Sequence, residues 1–144
     1  MTDPREAVER LREAYNRHDL VALARSFGER AVLVSPDGIA EDRDEIASYY
    51  GVFMEAFPDT IVTPQTVGVY HDTLAAEFII TGTHEGPLLV AGGEIVPATG
   101  RPIAVRACSL STVEDGLIAS HRLYYDQLEL GVQLGGDLRF AGPP

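Results

Sequence analysis

Tryptophan is absent from these 144 residues, and cysteine occurs once, as Cys108. A single thiol excludes an internal disulfide framework and is the usage expected of a cytoplasmic protein. Any ring-stacking surface must use tyrosine or phenylalanine. No apolar run approaches the roughly 20 residues of a membrane span. Thr2 to Arg17 is charged throughout, so no secretory leader is expected. Cations are scarce: 11 Lys and Arg stand against 22 Asp and Glu, a formal net charge of −11. Nucleic acid and anionic membranes would be repelled, so neither is an expected partner. No set of His, Cys and carboxylates has metal-ligand spacing. Gly92-Gly93 does not lead from a strand into a helix, so no phosphate loop is indicated.

What is present suits one domain with a substantial core, residues 1–140, followed by a short tail, 141–144. Thr2 to Asn16 reads as a helix, with Asp3 as cap, Pro4 in the first turn, and Ala7, Val8, Leu11, Ala14 and Tyr15 on one face. Asp19 caps a second helix, Leu20 to Phe27, which Gly28 ends. Ala31 to Ser35 is a buried strand stopped by the turn sequence Pro36-Asp37-Gly38. Asp42 or Asp44 starts a third helix with an aromatic and Met face: Ile46, Tyr49, Tyr50, Phe53, Met54 and Phe57. Pro58 terminates it.

The period then changes to two. Thr60 to Tyr70 is extended, and His71-Asp72 turns. Leu74, Ala76, Phe78, Ile80, Gly82 and His84 share the inward face of the next strand, opposite Glu77. Glu85 to Arg101 is a long Gly- and Pro-rich connection with one apolar run, Pro87 to Ala91, the composition of a functional flap. Arg101 to Val113 and Leu117 to Tyr125 form a hairpin. Asp126 caps a final helix, and Gly135 stops it. Helices first and an antiparallel meander after make an α+β fold with the helices on one face of the sheet.

A three-residue loop, Glu114 to Gly116, predicts pairs Ser109–His121, Ala107–Leu123 and Val105–Tyr125 on the less charged, concave face. Cys108, Arg106, Arg122, Tyr124 and Asp126 fall on the other. A shift by one pair would preserve these faces.

Tyr15-Asn16, Thr81 to Gly86, Pro97 to Pro102, Asp115-Gly116 with Ile118 and His121-Arg122, and Gln133 to Gly135 together resemble the SnoaL-like polyketide cyclases over nearly the whole chain. The resemblance implies the cone-shaped fold of nuclear transport factor 2 and ketosteroid isomerase, a curved antiparallel sheet wrapped around a pocket closed by the N-terminal helices. It implies a small, apolar, polyketide-like substrate and intramolecular aldol ring closure without metal or cofactor. In the aldol cyclases an aspartate follows the position of His121 by two residues, and a histidine sits on the neighbouring strand. Here those positions hold Leu123 and Ser109, and the related epoxide hydrolases also place an acid at the Leu123 position.

The expected catalytic residues are therefore His121, as acid, base or donor, and Tyr15, as donor to a carbonyl. Each has a structural alternative in ordinary core packing. Tyr49, Tyr50, Phe53, Met54, Phe57, Phe78, Ser109, Leu123 and Tyr125 are expected to line the substrate site, with His84 at its mouth or orienting the flap. Arg106, Arg122 and Asp126 read as a surface charge cluster, and Cys108 has no His partner. The functional expectation is a cofactor-independent cyclase of natural-product (antibiotic) biosynthesis, of lyase or isomerase type. It would work by preorganisation or cycloaddition-type closure. The alternatives are an isomerase or dehydratase using His121 as base, and a non-catalytic ligand-binding module. The outer sheet face suits a homodimer contact.

Overall fold

The structure, a computed structural model, describes residues 3–90 and 93–142. The expected helix start at Thr2, Ala91 and Gly92 of the long connection, and Pro143 and Pro144 of the tail lie outside the described residues. Helix α1 spans Pro4–Asn16, and the Asp3 carboxylate accepts the Arg5 N–H at 2.9 Å. Such a cap is worth about 1 kcal/mol. His18 then takes a left-handed φ of 56° and hands the chain to Asp19, which caps α2, Leu20–Arg25, through the Ala22 N–H.

This helix is shorter than the periodicity predicts. Strand β1, Phe27–Ser35, begins at the residue expected to end it. The Ser26 carbonyl accepts the Ile118 N–H at 3.0 Å, and Phe27 is fully buried opposite Ile118. Pairing and burial at that point outweigh one more helical turn. Pro36 and Asp37 then make the turn into β2, Gly38–Glu41, an edge strand absent from the sequence reading. Asp42 starts α3, Asp42–Ala56, its carboxylate accepting the N–H groups of Asp44 and Glu45 at 2.9 and 3.0 Å.

Strands β3, Ile61–Tyr70, and β4, Thr73–Thr83, follow. The long connection carries its own small hairpin, β5, Leu88–Leu89, with β6, Ile95–Val96. Then come β7, Pro102–Glu114, β8, Leu117–Tyr125, and α4, Gln127–Gln133. Asp126 caps α4 through the Leu128 and Glu129 N–H groups, and Gly135 follows it at φ 92°. The main sheet runs β2-β1-β8-β7-β4-β3. The antiparallel meander β3-β4-β7-β8 matches the reading from sequence; the parallel pairing of β1 with β8 does not appear in it. Helices α1 and α3 cover the inner face, giving the expected α+β cone.

The register of the last hairpin needs correction. Asp115 and Gly116 both have positive φ, 52° and 78°, the signature of a two-residue type I′ turn. Glu114 therefore faces Leu117, and a bulge at Ala119 restores the inward parity. His121 pairs with Ser111, Leu123 with Ser109 and Tyr125 with Ala107. The faces survive this shift of one pair, but the hydroxyl beside His121 belongs to Ser111. Beyond the bulge it is Ile118 that is buried on the concave face.

Candidate functional site

The concave face supplies the floor of a cavity of about 310 Å³. Alternation places Leu74, Ala76, Phe78 and Ile80 of β4, Val105 and Ser109 of β7, and His121, Leu123 and Tyr125 of β8 on that floor. Strand β3 is an edge strand, so it tolerates Pro64. A bulge just after Pro64 changes the parity, and Val62, Pro64 and Val67 all face the cavity. The roof comes from Val8, Leu11, Arg12 and Tyr15 of α1, Tyr49, Tyr50 and Phe53 of α3, and Leu130 of α4. Asn16 stitches α1 to the sheet: its amide exchanges two hydrogen bonds with the Val62 backbone, at 2.8 and 3.0 Å.

Three polar groups face this apolar space without a protein partner among the described residues. His121 uses Nδ1 for Ser111 Oγ at 2.8 Å, which leaves Nε2 to the cavity. Burial lowers its pKa from 6.5 to about 4, so the ring is neutral at physiological pH. Ser109 Oγ is the second group, and the Tyr50 hydroxyl is the third. Burial, then the neighbouring phenols Tyr49 and Tyr15, push the Tyr50 pKa up, so this hydroxyl stays a proton donor.

Tyr15, the expected donor, is engaged elsewhere. Its hydroxyl bonds Thr60 Oγ1 at 2.8 Å, and Thr60 is fully buried. The ring still forms part of the roof, edge-on to Tyr50 at 5.9 Å. Tyr49 and Tyr125 line the cavity with their rings while both hydroxyls donate to Asp37, at 2.8 and 2.5 Å.

Residues 8–121 match the sequence profile of the SnoaL-like domain. The chain belongs to the SnoaL-like family. It is similar to a Jannaschia sp. CCS1 protein provisionally named a SnoaL-like polyketide cyclase, with a TM-score of 0.81, 23% identity, and 98% of this chain and 93% of that one covered. It is similar to IdmH of Streptomyces antibioticus, provisionally named a polyketide cyclase, with a TM-score of 0.78, 29% identity, and 93% and 99% covered. A Catenulispora acidiphila protein with a ketosteroid isomerase-like fold matches with a TM-score of 0.75 at 20% identity, covering 91% and 93%. No curated protein matches the sequence.

Within this SnoaL-like cone the expected residues divide. His121, Tyr15, Tyr49, Tyr50, Phe53, Phe78, Ser109, Leu123 and Tyr125 meet at one cavity; Met54, Phe57 and His84 do not line it. Phe57 is wholly buried between Phe53, stacked at 4.6 Å, and His84, stacked at 5.2 Å. His84 is buried too, and its Nδ1 accepts the Thr99 N–H at 3.2 Å. Burial keeps its pKa below the ordinary value. This histidine anchors the start of the long 85–101 connection. Beside it, Glu85 and Gly86 donate their N–H groups to the Ala56 carbonyl at the end of α3. A Cβ on Gly86 would lie 2.2 Å from the Glu55 carbonyl oxygen, so only glycine fits there. Arg106 pairs with Glu129 at 3.4 Å rather than with Asp126, whose carboxylate is occupied by its cap.

Three features escaped the sequence reading. Ser111 was hidden by the register. Asp37 looked like a turn residue only. Arg5, Glu9 and Arg12, outside the apolar face of α1, also reach the cavity lining, and Arg12 bonds Glu9 there.

Proposed function

We propose that this SnoaL-like chain is a cofactor-independent cyclase. It folds a small, largely apolar, polyketide-like chain and closes a carbon ring mainly by preorganisation. The observation that carries this reading is the cavity's polar inventory. The free groups are one phenol, one hydroxyl and one neutral imidazole nitrogen; of the charged lining residues, the one carboxylate, Glu9, bonds Arg12, and Arg5 pairs with Asp3 at 3.6 Å. A base able to take a carbon-bound proton is what such a site lacks. An imidazole whose conjugate acid has a pKa of about 4 is a weak base but a competent hydrogen-bond partner. The sequence contains no lysine, so enamine chemistry on a lysine side chain is excluded.

Ring closure in this site draws on orientation. Intramolecular reactions held in a reactive conformer gain roughly 7–11 kcal/mol at best. Tyr50 and His121 then polarise a conjugated carbonyl from two sides of the cavity, and Ser109 offers a third contact. A cycloaddition-type closure needs nothing more. Isomerase or dehydratase chemistry with His121 as base is disfavoured by the same low pKa.

The test is single-turnover cyclisation of a linear conjugated polyketide substrate by the Tyr50→Phe and His121→Ala variants. Loss of one polarising donor should lower the rate about 10- to 100-fold, below the 10²–10³ of an oxyanion-hole donor. The pH–rate profile should be flat from pH 6 to 8. Complete loss in His121→Ala together with an ionisation near neutrality would show base catalysis and overturn the reading.

A further inference from the structure

Tyr49 and Tyr125 stand side by side in the cavity lining, and their hydroxyls converge on one carboxylate outside it. Asp37, in the turn between β1 and β2, accepts the Tyr49 hydroxyl at 2.8 Å and the Tyr125 hydroxyl at 2.5 Å on Oδ2, and the Gln127 amide at 3.0 Å on Oδ1. One carboxylate thus holds together α3, β8 and the start of α4. On its far side lies a second depression of about 420 Å³ between β2 and α3, and Tyr49 lines both spaces. Two apolar side chains face this depression from opposite walls, Ile39 of β2, 65% exposed, and Val52 of α3, 41% exposed. Together they give an otherwise polar hollow a small apolar strip.

We propose that this depression is a distal subsite for the tail of the same ligand, and that Asp37, Tyr49 and Tyr125 form the latch between it and the cavity. The inference rests on the cavity being the ligand site, as argued above. A space of about 310 Å³ is at the small end of the roughly 300–1,000 Å³ usual for ligand pockets. A longer chain must either stay outside or continue past Tyr49. Release requires only rotation of two phenols, with no strand unpaired. Asp37, Asp44 and Glu45 line the depression, so it disfavours an anionic tail and suits a neutral alkyl or hydroxylated one.

The experiment compares binding of two straight-chain methyl ketones, 2-heptanone and 2-tridecanone, to the full chain by isothermal titration calorimetry. Each methylene newly buried is worth about fourfold in affinity. Asp37→Ala removes the latch, and the ratio of long-chain to short-chain affinity should rise about tenfold. Ile39→Glu charges the subsite on an exposed residue that folding does not depend on, and that ratio should fall at least fivefold. An unchanged ratio in Ile39→Glu overturns the subsite even if Asp37→Ala fails to fold. A rise of both affinities together in Asp37→Ala overturns the latch. If 2-heptanone does not bind the unaltered protein, the cavity reading itself fails, and the subsite with it.

Discussion

Two histidines are wholly or nearly buried, His84 just past the end of β4 and His121 within β8, and they sit in different surroundings. His84 is wedged against Phe57, its Nδ1 bonded to Thr99 and its Nε2 enclosed without a partner among the described residues; His121 leans edge-on to Phe27 at 6.0 Å and leaves one nitrogen facing open space. Residue type and parity are the same. What separates them is the surrounding packing. Where the 85–101 connection begins, Gly86 touches the α3 backbone and Phe57 fills the gap between strand and helix. At the cavity, the helices stand off the sheet, and the unbonded polar atoms of Tyr50, Ser109 and His121 face open space instead of packed side chains. Unmatched groups in apolar surroundings are costly to keep, so their clustering in one cavity points to a ligand that completes them.

The largest effect should come from breaking the packed end. Phe57→Ala removes a fully buried ring and should cost about 3–5 kcal/mol, read as a lowered denaturation midpoint in urea. Phe53→Ala, in the half-buried ring that borders the cavity, should cost clearly less, because the space beside it is already empty. Equal losses would mean that the cavity wall is as tightly packed as the Phe57–His84 end.

Acid should act next, and most strongly at the cavity. The folded pKa of His121, about 4, lies below its ordinary value of 6.5. The unfolded chain therefore binds a proton that the folded chain refuses. Stability is full above about pH 6.5 and falls as the pH drops towards 4, by about 3 kcal/mol from this residue. Urea titrations at pH 7, 5.5 and 4 measure the slope, and His121→Gln should flatten it. A slope unchanged by His121→Gln would show that the ring is not buried neutral.

Much of this contrast was legible in the sequence. The period-two run Leu74 to His84 put His84 inward, and the alternation from His121 to Tyr125 put His121 on the concave face. The caps Asp3, Asp19 and Asp126 were readable because their chemistry is local. What stayed hidden depends on contacts distant in sequence. The type I′ turn and bulge moved His121 from Ser109 to Ser111, a choice between two loop geometries that Asp115-Gly116 alone does not make. The partner of Tyr15 is 45 residues away at Thr60, and Asp37 meets Tyr125 across 88 residues. No spacing rule reaches that far, so the identity of the free phenol emerged only with the packing.

The smallest effect tests that last point most sharply, because it compares two tyrosines that differ only in whether the hydroxyl is matched. Tyr15→Phe strands Thr60 Oγ1 in a fully buried position, and a buried polar group left without its partner costs about 1–3 kcal/mol. Tyr50→Phe deletes a hydroxyl that bonds no described residue, so the loss of stability should stay within about 0.5 kcal/mol. Its rate of cyclisation should nevertheless fall further than that of Tyr15→Phe once the latter is compared at equal folded fraction. The opposite pairing, a stable and slow Tyr15→Phe beside an unstable Tyr50→Phe of undiminished rate, would return the donor role to Tyr15. The cavity would then be a space the protein closes on itself rather than one that a ligand completes.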